Sequence, residues 1–568
     1  MKRISGFLFL LFLVACQPSK QLSLAGQINP YQYSITKKQI SKNGAVVSAH
    51  PLASEVGVMI MKAGGNAVDA AIATQLALAV VYPGAGNLGG GGFMVARLSS
   101  GEFVSLDYRE VAPSAAHRDM YLDSAGNVIP GKSINGHLSC GVPGTVAGLF
   151  ESARYARLPF KKLIQPAIEL AEKGFVITER EANALNAIQK DLKAYNTVPN
   201  AFLKPTGWKA GDTLVQTDLA KTLKRIRDKG RDGFYRGETA RLIVEEMQRG
   251  GGIMSLADLE SYTAKWRQPQ VFSYKGYTII GMGMPSSGGT LLNQMMKMVE
   301  NRPLASFGFL SPDAIQLMVE VERRAFADRA EYMGDADHVQ VPAWLTDETY
   351  LRNRMRDYVP GVAGNSQHIK AGVLHESEQT THLSVIDNEG NAVAVTTTLN
   401  NSYGSKTVVG GAGFLLNDEM DDFSARPGVP NMYGALGGEA NAIAPGKRML
   451  SAMTPTVVLK DNQPFLVVGT PGGTTIPTSV FQTLINIIEF GMTTEDAVYQ
   501  PKFHHQWMPD RIDVERSFPQ STRDALKQMG YKIAERSSIG RTEVIKVLPN
   551  GSFEAVADNR GDDAAAGW

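Results

Sequence analysis

Cysteine is nearly absent from this chain, with two in 568 residues, Cys16 and Cys140. A scaffold stapled by several disulfides is therefore excluded. An excess of charge of one sign is missing too: 57 Lys and Arg face 56 Asp and Glu, a formal net charge of +1 with no Lys/Arg-rich run. That balance offers no footprint for nucleic acid. Beyond the first fifteen residues there is no apolar run long enough to cross a bilayer as a helix. The usual chemical signatures are missing as well. No GxxxxGK[ST] loop occurs, His375-Glu376 lacks the second histidine of HExxH, and no GxSxG elbow is present. Gly84-Ala-Gly86-Asn-Leu-Gly89 does match GxGxxG, but a helix precedes it and a strand follows, the reverse of the dinucleotide-binding order. His504 and His505 are adjacent, so on a regular element their side chains diverge, which suits packing and hydrogen bonding better than a metal.

What is present begins at the N-terminus. Lys2-Arg3 precede an apolar run from Ile4 to Ala15 that ends Leu13-Val-Ala-Cys16. This pattern predicts a lipoprotein signal peptide over 1–15, with Cys16 lipidated and Cys140 left without a disulfide partner. The expected location is the bacterial cell envelope, exported and held by a lipid anchor alone. Residues 16–40 are polar without a clear period and are expected to form a tether outside the fold.

The 57 glycines cluster between apolar segments, as turns in a folded protein do. A helix is predicted from His50, broken at Gly64-Gly-Asn66, followed by a second, almost wholly apolar and hence buried helix over Ala67 to Val81. Phe93 to Leu98 and Glu102 to Tyr108 read as a hairpin, and 145–260 as mostly helical. The clearest β pattern is Thr380 to Asp387, a turn at Asn388-Glu-Gly390, then Asn391 to Thr398. Two further strands, Thr456 to Leu459 and Phe465 to Gly469, flank Asp461-Asn462 and lead into Thr470-Pro-Gly-Gly-Thr474. Helices on both sides of antiparallel strands predict a layered α+β domain.

Thr380 heads the clearest hairpin. A threonine hydroxyl is a weak nucleophile unless a base adjoins it, and a chain that starts at the threonine supplies its own α-amine as that base. Cleavage before Thr380 would fall in an irregular segment, where it spares the sheet. β-branching alone also accounts for a strand threonine, so Thr380 needs company to count.

That company resembles the γ-glutamyltransferase (glutathione hydrolase) family of N-terminal nucleophile hydrolases, over nearly all of 40–568. The strings that carry it are Ala49-His-Pro-Leu-Ala-Ser54, Gly64-Gly-Asn-Ala-Val-Asp-Ala-Ala71, Gly89-Gly-Gly-Gly-Phe-Met94, Asp107-Tyr-Arg-Glu110 and Gly141-Val-Pro-Gly-Thr-Val-Ala-Gly148. They continue with Pro285-Ser-Ser-Gly-Gly289, Thr380-Thr-His382, Thr398-Leu-Asn400, Glu419-Met-Asp-Asp-Phe423, Thr470-Pro-Gly-Gly473 and Phe503-His-His-Gln-Trp507.

The resemblance implies a four-layer αββα sandwich formed jointly by a large subunit, 41–379, and a small one, 380–568, after self-cleavage between Gln379 and Thr380. It implies Thr380 as nucleophile, Thr398 as its support, and Gly472 and Gly473 as oxyanion hole. Paired glycines suit that task because no Cβ obstructs their amides. Arg109 would grip the α-carboxylate of a γ-glutamyl group, with Ser451 and Ala452 beside it. Asn400, Glu419 and Asp422 would take the α-ammonium, and Tyr433 would gate the site from a lid loop. Many relatives read two serines at 451–452. The missing hydroxyl at Ala452 removes a hydrogen bond to a charged group, about 1.5–3 kcal/mol if unreplaced.

The implied substrates are glutathione and other γ-glutamyl donors, with water, amino acids or peptides as acceptors. No metal or organic cofactor is implied. Two other readings stay open. One is a glutaryl or β-lactam acylase, or a poly-γ-glutamate-processing relative; the other is a lipid-anchored binding protein without catalysis.

Overall fold

Two seven-stranded antiparallel sheets form the centre of the molecule. The computed structural model describes residues 23–24, 26–369, 380–426 and 438–568. One sheet runs Ala564–Gly567, Gly44–Ser48, Thr381–Asp387, Ala392–Thr398, Gly91–Arg97, Phe103–Asp107, Lys265–Arg267. The other runs Lys38–Ser41, Phe553–Val556, Glu543–Val547, Gln463–Gly469, Thr456–Lys460, Tyr277–Gly281, Gln270–Tyr274.

Strand alternation sorts the apolar side chains into three layers. Ile386, Ala392 and Ala394 of the first sheet meet Val457, Val467 and Ile545 of the second in the space between the sheets. The alternate residues Leu383, Val385, Val393 and Val395 face out onto the helices Pro51–Lys62 and Ala67–Val81. Val458, Leu466, Val468 and Val544 face the opposite way, onto Gly288–Glu300, Pro312–Tyr332 and Thr475–Ile488. The architecture is the αββα sandwich that the sequence led us to expect.

All fifteen residues of Ala67–Val81 are buried, as its missing polar face predicts. Its start is fixed by a reciprocal capping box between Asn66 and Asp69, and the Asp387 carboxylate takes the Ala67 amide at 2.8 Å. The helix is thus tied to the turn of the Thr381–Asp387 hairpin.

The expected tether is corrected here. Residues 26–40 belong to the fold: Lys38–Ser41 is an edge strand paired with Phe553–Val556, and the Tyr33 ring packs on His50 at 5.3 Å. The Lys37 ammonium donates to three carbonyls, of Asp558, Gly561 and Asp563. Leu24 is buried in the helical core beside Glu169, which accepts from the Ser23 hydroxyl and the Leu24 amide.

Candidate active site

The register of the hairpin pairs Thr381 with Thr397 and His382 with Thr396. One more step of that register sets Thr380 opposite Thr398. Both are buried, on the face that points between the sheets. The Thr398 hydroxyl accepts the Asn400 amide at 2.8 Å, and Asn400 holds the left-handed φ of +75°. Asn400 donates from its side chain to the Asp418 carbonyl at 3.0 Å. This draws segment 417–422 alongside the end of the strand.

The glycine run that resembled a nucleotide motif serves this strand instead. Gly91 is the register partner of Thr398, and a Cβ at Gly90 would lie 2.1 Å from the Thr398 carbonyl. Only glycine permits that approach. Asn87, in the same run, donates to the Thr398 carbonyl at 2.9 Å and to the Thr397 hydroxyl at 3.1 Å. Sequence reasoning passed over Asn87; the one trace of it was its place in a motif whose context was wrong.

Across Gly91 lies Glu110, and next to it Arg109, buried with 1 % of its surface exposed. Arg109 pairs with Glu419 at 2.6 Å and with Asp422, stands 3.6 Å from Glu110, and donates to the Met449 carbonyl at 3.4 Å. Three carboxyls thus surround one guanidinium. Burial pushes the Glu419 carboxyl well above the usual carboxylate range, and Arg109 pulls it back. Burial raises Glu110 in the same way. Both Glu419 carboxyl oxygens are buried, Oε2 against the Arg109 guanidinium. Glu110 was not singled out from the sequence, since adjacency to Arg109 reads equally as an incidental pair.

Two residues beyond Met449, Ser451 is clamped by the Pro285-Ser-Ser-Gly-Gly289 turn. Its amide donates to the Pro285 carbonyl, and its carbonyl accepts from the Ser287 amide and hydroxyl, both at 2.7 Å. Arg329 in turn donates to the Ser287 hydroxyl. The Ser451 hydroxyl takes the Met453 amide at 3.2 Å, and Ala452 is wholly buried beside it.

Gly472 and Gly473 precede the helix Thr475–Ile488 with φ of +138° and +56°. The Gly472 carbonyl accepts the Thr475 amide and hydroxyl, and the Gly473 carbonyl accepts the Ile476 amide. In a trans peptide the Gly473 N–H points opposite to the Gly472 carbonyl, away from the helix. A helix N-terminus adds favourable potential for an anion there. The strand leading to this turn crosses the hairpin: a Cβ at Gly469 would meet the His382 ring at 2.2 Å.

His382 is the histidine nearest the candidate nucleophile. Its Nδ1 lies 2.8 Å from the Thr396 hydroxyl and its Nε2 3.1 Å from the Ser384 hydroxyl, which donates to the Glu543 carbonyl. Ser384 therefore accepts from Nε2–H, and the ring is neutral. Burial lowers its pKa to about 3. With both nitrogens engaged it has no capacity to act as general base. His504 and His505 are hydrogen-bonded in the packing, to Thr478 and Gln506 and to the Trp507 amide.

Of the other predicted positions, Tyr433, Gln379 and Cys16 lie outside the described residues. The rest converge. Thr398, Gly91, Glu110, Arg109 and then Met449, Glu419 and Asp422 form one continuous chain of contacts.

Comparison with known proteins agrees with this geometry. A gamma-glutamyltranspeptidase family model matches residues 53–568. The glutathione hydrolase proenzyme of Escherichia coli K12 is 46 % identical over 543 residues, 93 % of this chain and 92 % of that one. A crystal structure of Helicobacter pylori gamma-glutamyltranspeptidase aligns with a TM-score of 0.56 and 44 % identity, over 60 % of this chain and 97 % of its own. A cephalosporin acylase from Bacillus halodurans aligns with a TM-score of 0.82 at 26 % identity, over 95 % of this chain and 99 % of its own. The chain belongs to the gamma-glutamyltranspeptidase family.

Proposed function

We propose that this protein is a γ-glutamyltransferase and glutathione hydrolase that cuts its own chain before Thr380 and then uses Thr380 as nucleophile. The observation that carries the site assignment is the pairing of Arg109 with Glu419 and Asp422, with only the Gly91–Arg97 strand between the Thr398 strand and the strand that leads to Arg109. A γ-glutamyl group ends in a zwitterion. Its carboxylate would take the Arg109 guanidinium, and its ammonium the carboxylates that Arg109 now holds. Neither a glutaryl acylase nor a binding protein without catalysis calls for that combination with a threonine at the head of a hairpin.

In the reaction, the α-amine of a newly exposed Thr380 accepts the proton of the Thr380 hydroxyl as the oxygen attacks the γ-amide carbon. The neutral, fully engaged His382 supports this choice of base. The developing oxyanion rests on the Gly472 and Gly473 amides. Thr398, opposite Thr380 on the hairpin and accepting the Asn400 amide, supports the nucleophile. The amine product leaves with a proton, and water or an acceptor amine then cleaves the glutamyl–Thr380 ester.

The N-terminal signal adds an anchor to this reading. With the chain already docked at Ser23, six residues separate it from Cys16, seven Cα steps that span at most roughly 25 Å of extended chain. Lipid on Cys16 would hold the enzyme close to the membrane surface.

A single preparation tests both parts. Cells grown with labelled palmitate should give two bands on a denaturing gel, the smaller one starting at Thr380 and the larger one labelled. Thr380→Ala should give one unprocessed band without activity on a γ-glutamyl anilide. One unlabelled full-length band from the natural chain, inert on the anilide, would sink the proposal.

A further inference from the structure

The string Phe503-His-His-Gln-Trp507 runs along the helix Thr475–Ile488 in the opposite direction. Thr474, Thr478 and Gln482 recur at every fourth position, so they share one face of that helix. Gln482 takes both backbone groups of Phe503, donating to its carbonyl at 2.7 Å and accepting its amide at 3.2 Å. The Thr478 hydroxyl meets His504 Nδ1 at 2.9 Å. Thr474, the residue after Gly473, donates its hydroxyl to Gln506 Oε1 at 2.6 Å. All of these side chains are buried. The string is a splint on the helix, and it ends at the glycine pair.

The direction of each bond follows from Gln506. Its Nε2 donates to the Met508 carbonyl at 3.2 Å, which turns Oε1 toward Thr474 and toward His504 Nε2 at 2.8 Å. His504 therefore carries its proton on Nε2 and accepts the Thr478 hydroxyl on Nδ1. Burial lowers its pKa, in keeping with a neutral ring. Gln506 is also fixed from both neighbours. The His505 amide donates to the Glu322 carboxyl at 2.9 Å, and the Trp507 indole N–H is shared by the Ser366 and Ile369 carbonyls at 2.8 and 3.1 Å. Trp507 keeps φ at +69°, a conformation that a tryptophan holds only where its surroundings impose it.

Glycine has more backbone freedom to lose than any other residue, so two in succession do not hold a geometry by themselves. An oxyanion hole works only when its amides are fixed before the charge develops. The turn must then be held by what flanks it. On one side the Thr470 hydroxyl accepts the Arg541 amide at 2.7 Å. On the other, Thr474 is the first side chain beyond the pair, and Gln506 is its anchor. Resting on the function given above, we propose that Gln506, backed by His504, is a positioning residue for γ-glutamyl transfer, holding the Gly472 and Gly473 amides on the oxyanion through Thr474.

The test compares kcat and KM for γ-glutamyl-p-nitroanilide in the self-processed natural enzyme, Thr474→Val, Thr474→Ser, Gln506→Met and the double variant Thr474→Val with Gln506→Met. Valine and methionine keep the volume and lose the hydrogen bond. Displacing a reacting group by about 1 Å can cost 10²-fold, so each of these single variants should lower kcat about 10- to 100-fold. Donor KM should stay within about twofold, because the contact serves the transition state alone. Serine keeps the hydroxyl and should bring kcat back to within about threefold of the natural value. The double variant should fall no further than about threefold below the lower single one, since both changes remove one contact. A Thr474→Val enzyme with natural kcat, an equal fall in Thr474→Ser, or losses that multiply in the double variant overturn the assignment. A rise in KM that accounts for the loss does so too. Recovery of both single variants as uncut chains also overturns it, since the contact would then serve folding or self-cleavage. A natural enzyme that releases no p-nitroaniline at all refutes instead the function on which the assignment rests.

Discussion

At the scale of single residues, the proposed donor pocket turns on Arg109. It is buried among Glu110, Glu419 and Asp422, and its three nitrogens each have a separate partner. Removing its charge would leave at least one buried carboxylate uncompensated, a loss of about 3–5 kcal/mol in comparable pairs, so truncation confuses folding with binding. Arg109→Lys keeps the charge and loses the fork. It should reduce kcat/KM for a γ-glutamyl anilide by about 10- to 150-fold, the equivalent of roughly 1.5–3 kcal/mol for one charge-assisted bond. The fall should appear mainly in KM, because the carboxylate is gripped equally in ground and transition states. Steady-state kinetics check this, and an unaltered KM would remove Arg109 from the carboxylate's contacts. Arg109, Glu419 and Asp422 were all legible in the sequence, because each stands in a string that resembles one family. Their mutual pairing was not, since no sequence pattern tells that these opposite charges neutralise one another across the fold.

At the scale of elements, the proposed oxyanion turn at Gly472-Gly473 is held together with the helix behind it. Gly472 is held at a φ of +138°, and a Cβ there would lie 2.4 Å from the Thr475 hydroxyl that caps the same turn. Gly472→Ala should therefore rotate the turn and take an amide out of line. Loss of one such donor costs about 10²–10³ in rate, so kcat should fall by that factor while donor KM changes little. A variant within threefold of the natural kcat would show that the oxyanion lies elsewhere. Elements whose pattern is local were readable: the Thr381–Asp387 hairpin from its alternation and turn, and Ala67–Val81 from its missing polar face. The Lys38–Ser41 strand was not. Its single strong β residue, Ile40, is largely exposed, and the strand exists because Phe553–Val556, five hundred residues on, offers it an edge. Chain-distant pairing of that kind leaves no trace in a short polar segment. The glycine run 89–92 was visible as such, but its purpose, close passage beneath Thr398, depends on a strand three hundred residues away.

At the scale of the whole molecule, the sandwich buries an unusual number of ionisable groups. The helix Pro312–Tyr332 shows this best: Glu320, Glu322, Arg323, Arg324, Asp328 and Arg329 are all buried against the strands and the neighbouring helices. Among the described residues no cation stands beside Glu322. It accepts the His505 amide at 2.9 Å and the Gln482 side chain, and burial holds its carboxyl well above its ordinary value of 4.5. The folded protein therefore keeps a proton that the unfolded chain releases above pH 4.5. Stability should fall as pH rises from that value toward the folded pKa, by about 1.4 kcal/mol per pH unit for each such group. Buried bases oppose this. His382 and His505, lowered to about 3 and about 4, add stability as pH rises toward 6.5 and nothing beyond it. Lys502, lowered to about 7, adds stability above that pH. A difference between two proteins cancels those shared contributions. Glu322→Gln, which cannot ionise, should lose stability less steeply than the natural enzyme as pH rises above 4.5, by about 1.4 kcal/mol per unit for as long as Glu322 keeps its proton. Urea unfolding at several pH values measures both slopes. Parallel slopes would mean that Glu322 is ionised in the folded state, with a compensating cation that the packing around Pro312–Tyr332 does not provide.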